Sequence, residues 1–207
     1  MRLTTSLICI LLSATPFLSS AQDKPKSASN YQTLVERVKK GDQTVNFREL
    51  RLAYSESSDF TSGPDTTDQK KAMRQALNNK DFAKAIQNAD TVLVSNFVDM
   101  DAHFVEYVAY RELKNPERAD FHKFVLQNLL KSITASGDGK TPETAFEVID
   151  VDEEYILLRF MGLGLPKKQS YMHKNGHYYD ALTLNNPAST EERVIYFNVD
   201  IPAKHGM

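Results

Sequence analysis

Asp81-Phe-Ala-Lys-Ala85 and Asn115-Pro-Glu-Arg-Ala119 begin two helices of the region 81–133, which decides the fold of this chain. The two stretches are 34 positions apart, the period of tetratricopeptide-type helix hairpins. Between them, residues 99–113 predict a third amphipathic helix. A repeat array normally needs about three units to be stable alone. The sequence shows barely two, so we expect a short helical region that packs against another part of the chain.

The helices of this region have recognisable starts and apolar faces. Asp81, Asp99 and Asn115 are suited to cap helix N-termini, and Pro116 is suited to the first helical position. Apolar residues then recur at helical spacing, so each helix has a buried face. The residues of the last helix that we expect to be buried include Phe121, Phe124 and Leu129.

Three further helices are predicted before this region. The first begins near Tyr31 and ends at Gly41, the second begins at the possible capping box Asn46–Glu49, and the third runs from Thr66 to Asn78. Residues 55–65 are predicted to form a loop. The expected core residues of the three helices are Tyr31, Leu34, Val35, Val38, Phe47, Leu50, Tyr54, Met73, Ala76 and Leu77.

The pattern changes at Ser136–Thr144, which is rich in glycine, and we predict a domain boundary there. A strand is predicted from Phe146 and a helix over 152–160. Asn175-Gly176 is a strong hairpin signal, and its strands are followed by a last strand over 193–199. The predicted fold class is α+β. A helical-hairpin, tetratricopeptide-like region is followed by a small, mostly antiparallel sheet with one covering helix.

The N-terminus predicts export. Arg2, the apolar run 7–18 and Ser19-Ser-Ala21 are typical of a secretory signal peptide over residues 1–21, followed by a flexible lead-in over 22–29. The only cysteine, Cys9, lies within this leader, so the mature protein would have no disulfide and no thiolate nucleophile. The predicted domains are then a helical domain over 30–135 and a small α+β domain over 136–207.

Four phrases carry a resemblance to a known family: Asp101-Ala-His-Phe104, Ser136-Gly-Asp-Gly-Lys-Thr-Pro-Glu-Thr-Ala145, Val151-Asp-Glu-Glu-Tyr155 and Gly176-His-Tyr-Tyr-Asp180. Together they resemble the exported bacterial proteins of the domain of unknown function 4919 family. The resemblance extends from about Asn46 to Asp200. It implies a leader, a helical half and a small mixed C-terminal half, and it supplies no reaction or catalytic residue.

Charge and hydropathy exclude some classes of partner. The formal net charge is −2, so the basic footprint of a nucleic-acid-binding protein is absent. The leader is too short and too interrupted to span a membrane, so no membrane span is expected. The sequence implies no cofactor. A protein partner remains possible, and the oligomeric state is left open.

His103 and His122 are the weak candidates for catalysis. If the helices around Leu113 and Pro116 pack as an antiparallel hairpin, the two histidines are offset by about 6 Å along the axis and can share one groove. A metal or general-base role needs further ligands, and the local acids are Asp99, Asp101 and Glu106. The simpler interpretation is packing, with a buried ring that hydrogen-bonds a neighbour. No metal site is therefore assigned.

Other motifs are weaker. His173 and His177 flank the hairpin turn, but they are expected on opposite faces, so they should not bind one metal together. His177, Asp101 and Tyr179, which is taken to face outward, are candidate binding residues. Asp138-Gly-Lys140 matches neither a calcium loop nor a phosphate loop. The acids Glu153-Glu154 are interpreted as a solvated helix N-terminus.

The sequence thus favours a non-catalytic envelope protein, periplasmic or secreted, whose helical half binds a protein partner. The alternative is a small hydrolase or metal-dependent enzyme centred on His103 and His122. A structural accessory domain is a third class. A cleft lined by the two histidines at the junction of the halves would favour the enzyme, and a smooth apolar junction would favour binding.

We expect the mature protein to begin near Gln22 and to be found outside the cytoplasm, because residues 1–21 have the pattern that signal peptidase cleaves. Mass spectrometry of the native protein checks this. An intact Met1, or a lipid on the first residue of the mature chain, would contradict it.

Overall fold

The computed structural model describes residues 30–185 and 192–206, and the predicted leader 1–21 and lead-in 22–29 lie outside them. The helices of the described ranges are α1 (Asn30–Lys39), α2 (Phe47–Ser55), α3 (Ser58–Ser62), α4 (Thr67–Asn78), α5 (Phe82–Ser95), α6 (Met100–Glu112), α7 (Pro116–Thr134), α8 (Val151–Phe160) and α9 (Asp200–Lys204). The strands are β1 (Phe146–Glu147), β2 (Lys168–Lys174), β3 (His177–Asn185) and β4 (Glu192–Asn198). None of these helices combines the length and the apolar character needed to cross a membrane.

The 34-residue repeat corresponds to one turn that is built twice, between α4 and α5 and between α6 and α7. Lys80 and Lys114 both have a positive φ of 61°. Each is followed by a capping residue, Asp81 or Asn115, whose side chain accepts a hydrogen bond from the N–H three residues further on. The same local rules therefore form both hairpins. Two hairpins do not establish a repeat array, so the tetratricopeptide-like label stays a prediction.

The predicted N-terminal helices are present, with one correction. Asn46 caps α2 by accepting from the N–H groups of Arg48 and Glu49, and Gly41 ends the first helical segment with a φ of 82°. The prediction of a continuous loop over 55–65 is wrong, because α3 lies within it. Nine of the ten predicted core residues are buried, and the tenth is half-buried. The nine are Tyr31, Leu34, Val35, Val38, Phe47, Leu50, Tyr54, Met73 and Ala76.

The sheet has the strand order β1-β4-β3-β2. Asn175 and Gly176 both have positive φ and form the predicted hairpin turn between the antiparallel strands β2 and β3. β3 pairs antiparallel with β4, while the short β1 pairs parallel with β4. The predicted α+β class is confirmed, with a helical region followed by a small, mostly antiparallel sheet and a covering helix.

One large apolar core joins the two halves. It contains Leu50, Leu129 and Ile133 from the helical region together with Leu157 and Phe197 from the C-terminal region. The predicted boundary at 136 follows the end of α7, but the cores are not separate there. The division into two independent domains stays a prediction.

Two predicted core residues of α7 are less buried than expected. Leu129 is fully buried, whereas Phe121 and Phe124 are half-buried. The ring of Phe124 packs edge-on against Phe47, with ring centroids 5.8 Å apart. Both phenylalanines lie at the edge of the buried face of α7, which includes Val125 and Leu129.

A buried ion pair also crosses the junction. Arg51 of α2 and Glu153 of α8 form a bidentate pair, with Nε of Arg51 2.8 Å from Oε1 of Glu153. The guanidinium also donates to the hydroxyl of Ser132 and to the backbone carbonyl of Glu147, and Glu153 accepts from the N–H of Ile149. Helix α2, helix α7 and the stretch from β1 to α8 therefore meet at one arginine and one glutamate.

We expect Arg51→Met to lower the free energy of unfolding by about 3–5 kcal/mol, because Glu153 is left charged and unpaired in the core. The matched control is Arg48→Met on the same helix. Arg48 pairs with Glu147 on the surface, so its loss should cost about 0–1 kcal/mol. Denaturant unfolding measures both. Adding Glu153→Gln to Arg51→Met should recover part of the loss, and equal effects of the two arginine variants would contradict the role of the buried pair.

Candidate functional site

Two buried histidines meet between α6 and α7. Asp99 begins α6 by accepting a hydrogen bond from a backbone N–H of the first turn, and Asn115 with Pro116 begins α7. The short turn between these helices places them side by side. Nδ1 of His103 then lies 3.0 Å from Nδ1 of His122. The structure thus brings the two histidines together, as the predicted stagger of the helices requires.

The hydrogen bonds of this pair determine which nitrogens carry protons. Nε2 of His103 lies 2.8 Å from the carbonyl oxygen of Phe97. Because a carbonyl only accepts, Nε2 carries the proton and Nδ1 of the neutral ring accepts. Nδ1 of His122 must then donate, which leaves Nε2 of His122 as an acceptor. Burial lowers the pKa of His103 to about 3 and that of His122 to about 4, so both rings are neutral at pH 7.

Nε2 of His122 faces two carboxyl groups. Oε2 of Glu106 lies 2.8 Å from it, but without the alignment of a hydrogen bond. Neither side-chain oxygen of Glu106 has a well-aligned hydrogen bond among the described residues, although the carboxyl of Asp90 lies within hydrogen-bonding reach of Glu106. Burial raises the pKa of Glu106 to about 7, and burial followed by the nearby Glu106 carboxylate raises the pKa of Asp90. The cluster of His122, Glu106 and Asp90 therefore has more hydrogen-bond acceptors than donors.

Asp90 and His122 line an open surface pocket of about 400 Å³, which we name the Asp90 pocket. Its other lining residues are Lys39, Leu93, Val94, Phe97, Glu117, Arg118 and Phe121. The pocket lies within the helical half and not at the junction with the sheet. Apolar side chains line it together with two acids and two cations, so it is shaped to receive a small molecule.

Only one of the three acids predicted to assist a metal lies near the histidines. Glu106 does, whereas Asp99 pairs with Lys70 at 2.9 Å and Asp101 pairs with two arginines. Across the described ranges, no group of three or more His, Cys, Asp or Glu side chains is arranged to hold a metal ion. Both ring nitrogens of His103 are already in hydrogen bonds, which leaves His122 as the one ring with an available nitrogen.

Asp101 lies beneath a second concave surface. Its buried carboxylate pairs with Arg74 of α4 and with Arg159 of α8, whose Nη2 lies 2.6 Å from Oδ1. The two guanidinium groups are half-exposed and line a groove of about 430 Å³, which we name the arginine groove. Its other lining residues are Asp152, Tyr155, Ile156, Gly162, Gly164 and Leu165. Asp101 therefore fixes the positions of the two guanidinium groups that line this groove.

The hairpin residues are placed differently from the prediction. His173 pairs with Tyr178 and Lys174 with His177, so the two histidines do lie on opposite faces, as predicted. The prediction that Tyr179 faces outward is wrong, because it is 7% exposed and Tyr178 is 38% exposed. Tyr179 lines one concavity together with Pro142 and Glu143 of a 3-10 turn (Pro142–Thr144), whose position the strand alternation alone does not reveal.

His177 remains exposed, and its Nδ1 lies 2.6 Å from Oδ2 of Asp200. Asp200 begins α9, a short helix that the sequence analysis did not predict. The binding roles of His177, Tyr179 and Asp101 stay predictions. The structure brings His177 and Tyr179 to one side of the sheet, with ring centroids 6.3 Å apart, and places Asp101 at the arginine groove.

The loop around Asp138 is closed on itself. The Oδ1 atom of Asp138 accepts from the hydroxyl of Thr144 at 2.6 Å and from the N–H of Lys140 at 3.1 Å. Gly139 has a φ of 66°, and a side chain there would meet the ring of Phe146 at 2.5 Å. The glycine is therefore required by close packing, and the carboxylate already has internal partners.

The interpretation of Glu153 and Glu154 as a solvated helix start is wrong, because both are buried. Their side chains diverge as successive helix positions must. Glu153 pairs with Arg51, while both oxygens of Glu154 have no hydrogen-bond partner among the described residues. Burial, followed by the nearby Asp180, raises the pKa of Glu154 to about 9. Composition and spacing gave no sign of this, since an acidic first turn is usually exposed.

The sequence analysis also missed Asp90, Arg74 and Arg159 as site residues. Each lies at an exposed helical position with nothing unusual in the sequence around it. Only the packing of α4, α6 and α8 brings the two arginines to one aspartate, and only the packing of α5 against α6 brings Asp90 to Glu106. The local sequence therefore contains no motif that identifies these three residues.

The architecture is that of an α+β protein with a helical half, a small covered sheet and two open concave surfaces. The family model described as Domain of unknown function (DUF4919) matches residues 19–207, and the chain belongs to that family. The expected resemblance is thereby confirmed. No curated protein and no solved structure matches the chain.

We expect the contribution of Glu154 to the stability of the protein to fall as the pH rises from about 4.5 to about 9, the ordinary and the folded-state pKa of this carboxyl. The carboxyl of Glu154 holds its proton more tightly in the folded state than in the unfolded chain. Its stabilising contribution is therefore complete below pH 4.5 and is lost once the pH passes about 9. Denaturant unfolding at several pH values measures the slope.

Glu154→Gln should flatten this slope, because the amide has no charge to bury. Glu56→Gln, at an exposed position, is the matched control and should leave the slope as it is. If Glu154→Gln and the parent protein lose stability equally over this pH range, Glu154 is not the group responsible.

Proposed function

We propose that this protein is a non-catalytic protein-binding or scaffold protein that acts outside the cytoplasm, in the bacterial envelope, after cleavage of the leader that is predicted to end at Ala21. The observation that carries the binding role is the arginine groove together with the exposed apolar side chains beside it. The export step is supported by the pattern of residues 1–21.

The apolar part of this surface lies at the end of α8 and in the loop that follows. Phe160 and Met161 are partly exposed, and Leu165 is 81% exposed. Scattered apolar side chains are normal on a protein surface, but a contiguous group bordered by polar residues is typical of an interaction site. Three such side chains within six residues, next to a groove, therefore support a docking role.

The polar part of the surface indicates the chemistry of the partner. Arg74 and Arg159 share the single carboxylate of Asp101, and their remaining N–H groups have no hydrogen-bond partner among the described residues. A guanidinium group binds a second carboxylate well, because its donors form a planar fork. The partner that fits is a protein segment that presents an acidic side chain next to an apolar one.

The alternative is a small hydrolase or metal-dependent enzyme centred on His103 and His122. One observation favours it, the pKa of about 7 for Glu106, which is suited to general acid–base catalysis. Both nitrogens of His103 are in hydrogen bonds, which favours a packing role for this ring, because a catalytic ring needs a nitrogen that is open to the substrate. Binding is therefore the proposal that the geometry supports better.

A photo-crosslinking amino acid at Leu165 tests the docking role in the cells that make the protein. We expect one defined adduct with a partner protein, lost when Arg159→Glu is added, because the substitution reverses the charge beside the crosslinker. The matched control is the same crosslinker at Val94, which is 87% exposed on α5, away from the groove.

No adduct at position 165, or an equal adduct at position 94, would contradict a specific docking site in the arginine groove. An adduct that joins two copies of this chain would also contradict a heterologous partner and would make the surface a dimer interface. Loss of the adduct in Arg159→Glu indicates a contact that depends on charge, whereas an unchanged adduct indicates non-specific apolar capture.

A further inference from the structure

The Asp90 pocket holds an unusual set of buried acceptors. Nε2 of His122 and both oxygens of Glu106 have no well-aligned hydrogen bond among the described residues. Buried polar groups in native proteins nearly always have a partner, so a group of three such atoms beside an open pocket indicates a missing donor. His122 itself lines the pocket and is almost fully buried.

The hydrogen bonds of the two histidines determine which of their nitrogens lacks a donor. The carbonyl of Phe97 orients His103, and His103 in turn orients His122, so that Nε2 of His122 can only accept. A proton on Glu106 would satisfy Nε2 of His122, and the carboxyl of Asp90 lies within hydrogen-bonding reach of Glu106. Two acids and one accepting ring nitrogen thus lie together where Asp90 and His122 line the pocket. This part of the pocket therefore suits a group that carries several N–H donors and a positive charge.

The cations of the protein do not fill this role. Arg118 lies over the ring of Tyr110 at 5.2 Å, and Lys39 lies over the ring of Phe97 at 5.6 Å. Neither forms an ion pair with Asp90 or Glu106 within 4.0 Å in the part of the chain that the structure describes. Burial raises the pKa of both Glu106 and Asp90, and the charge of Arg118 is close enough to offset part of that rise, but within the described ranges the two acids have no direct ion pair with it.

The walls indicate the rest of the ligand. Leu93, Val94, Phe97 and Phe121 form an apolar lining around a volume of about 400 Å³. We propose that the Asp90 pocket binds a small protonated primary amine with an apolar or aromatic body, its ammonium group placed against Asp90 and Nε2 of His122, above Glu106. An ammonium group has three donors and no acceptor, which matches the unsatisfied atoms.

Isothermal titration calorimetry of the full mature chain with 2-phenylethylamine tests the proposal. We expect one site per chain. The matched neutral probe, 2-phenylethanol, and the matched anion, phenylacetate, should bind at least about tenfold more weakly or not at all, because they lack the charge and two or more of the donors.

Asp90→Asn should weaken amine binding by about tenfold or more, since it removes a charge at an exposed position without disturbing the core. Asp120→Asn, an exposed aspartate on α7 that does not line the pocket, is the matched control and should change nothing. Glu106→Gln should weaken binding as well, with circular dichroism showing that the variant is folded.

Absence of binding by 2-phenylethylamine at millimolar concentration would overturn the proposal. Equal binding of the alcohol, or an unchanged affinity in Asp90→Asn, would overturn it too, because the site would then recognise only an apolar body. The arginine groove plays no part in these measurements, so their outcome is independent of the proposed docking role.

Discussion

The structure depends on the buried pair of Arg51 and Glu153. An arginine in an apolar core is tolerated only when its charge is matched and its donors are satisfied, and here one glutamate, one hydroxyl and one backbone carbonyl meet that demand. The partners belong to α2, α7, β1 and α8, so the pair orients α2, α7 and α8 with respect to one another. Its geometric demands help to select one arrangement of the two halves.

The shared apolar core follows from the same arrangement. The α4–α6 region has its own small cluster, built from alanines, valines, a leucine and a methionine, whereas the larger residues of α1, α2, α7, α8 and the sheet form the main core. The junction therefore combines apolar packing with ion pairs, and the two histidines lie away from it. The arginine groove is lined by α4, α8 and the loop after α8, and the Asp90 pocket is lined by α1, α5, α7 and Phe97.

Much of the fold was predictable from the sequence because the decisive signals are local. Capping residues, apolar periodicity and the Asn175-Gly176 turn act within a few residues of chain, and the structure shows the helices and the hairpin they predict. The meeting of His103 and His122 was predictable for the same reason, since it follows from the stagger of two adjacent helices. The predictions failed where burial depends on distant segments, as for Tyr179, which is buried on β3, and for Glu154, which lies near Asp180.

The sequence by itself determined the family, the order of the longer helices and of the strands, the repeated helix turn and the register of the hairpin. Only the tertiary structure decided which charges are buried and which acids share a pocket. The physical reason is that burial and electrostatic pairing depend on the separation of side chains in space, and a carboxylate at an exposed helix start has the same local sequence as one enclosed in a core. Glu153 and Glu154 show this directly, since the packing of α8 against α2 and the sheet encloses both.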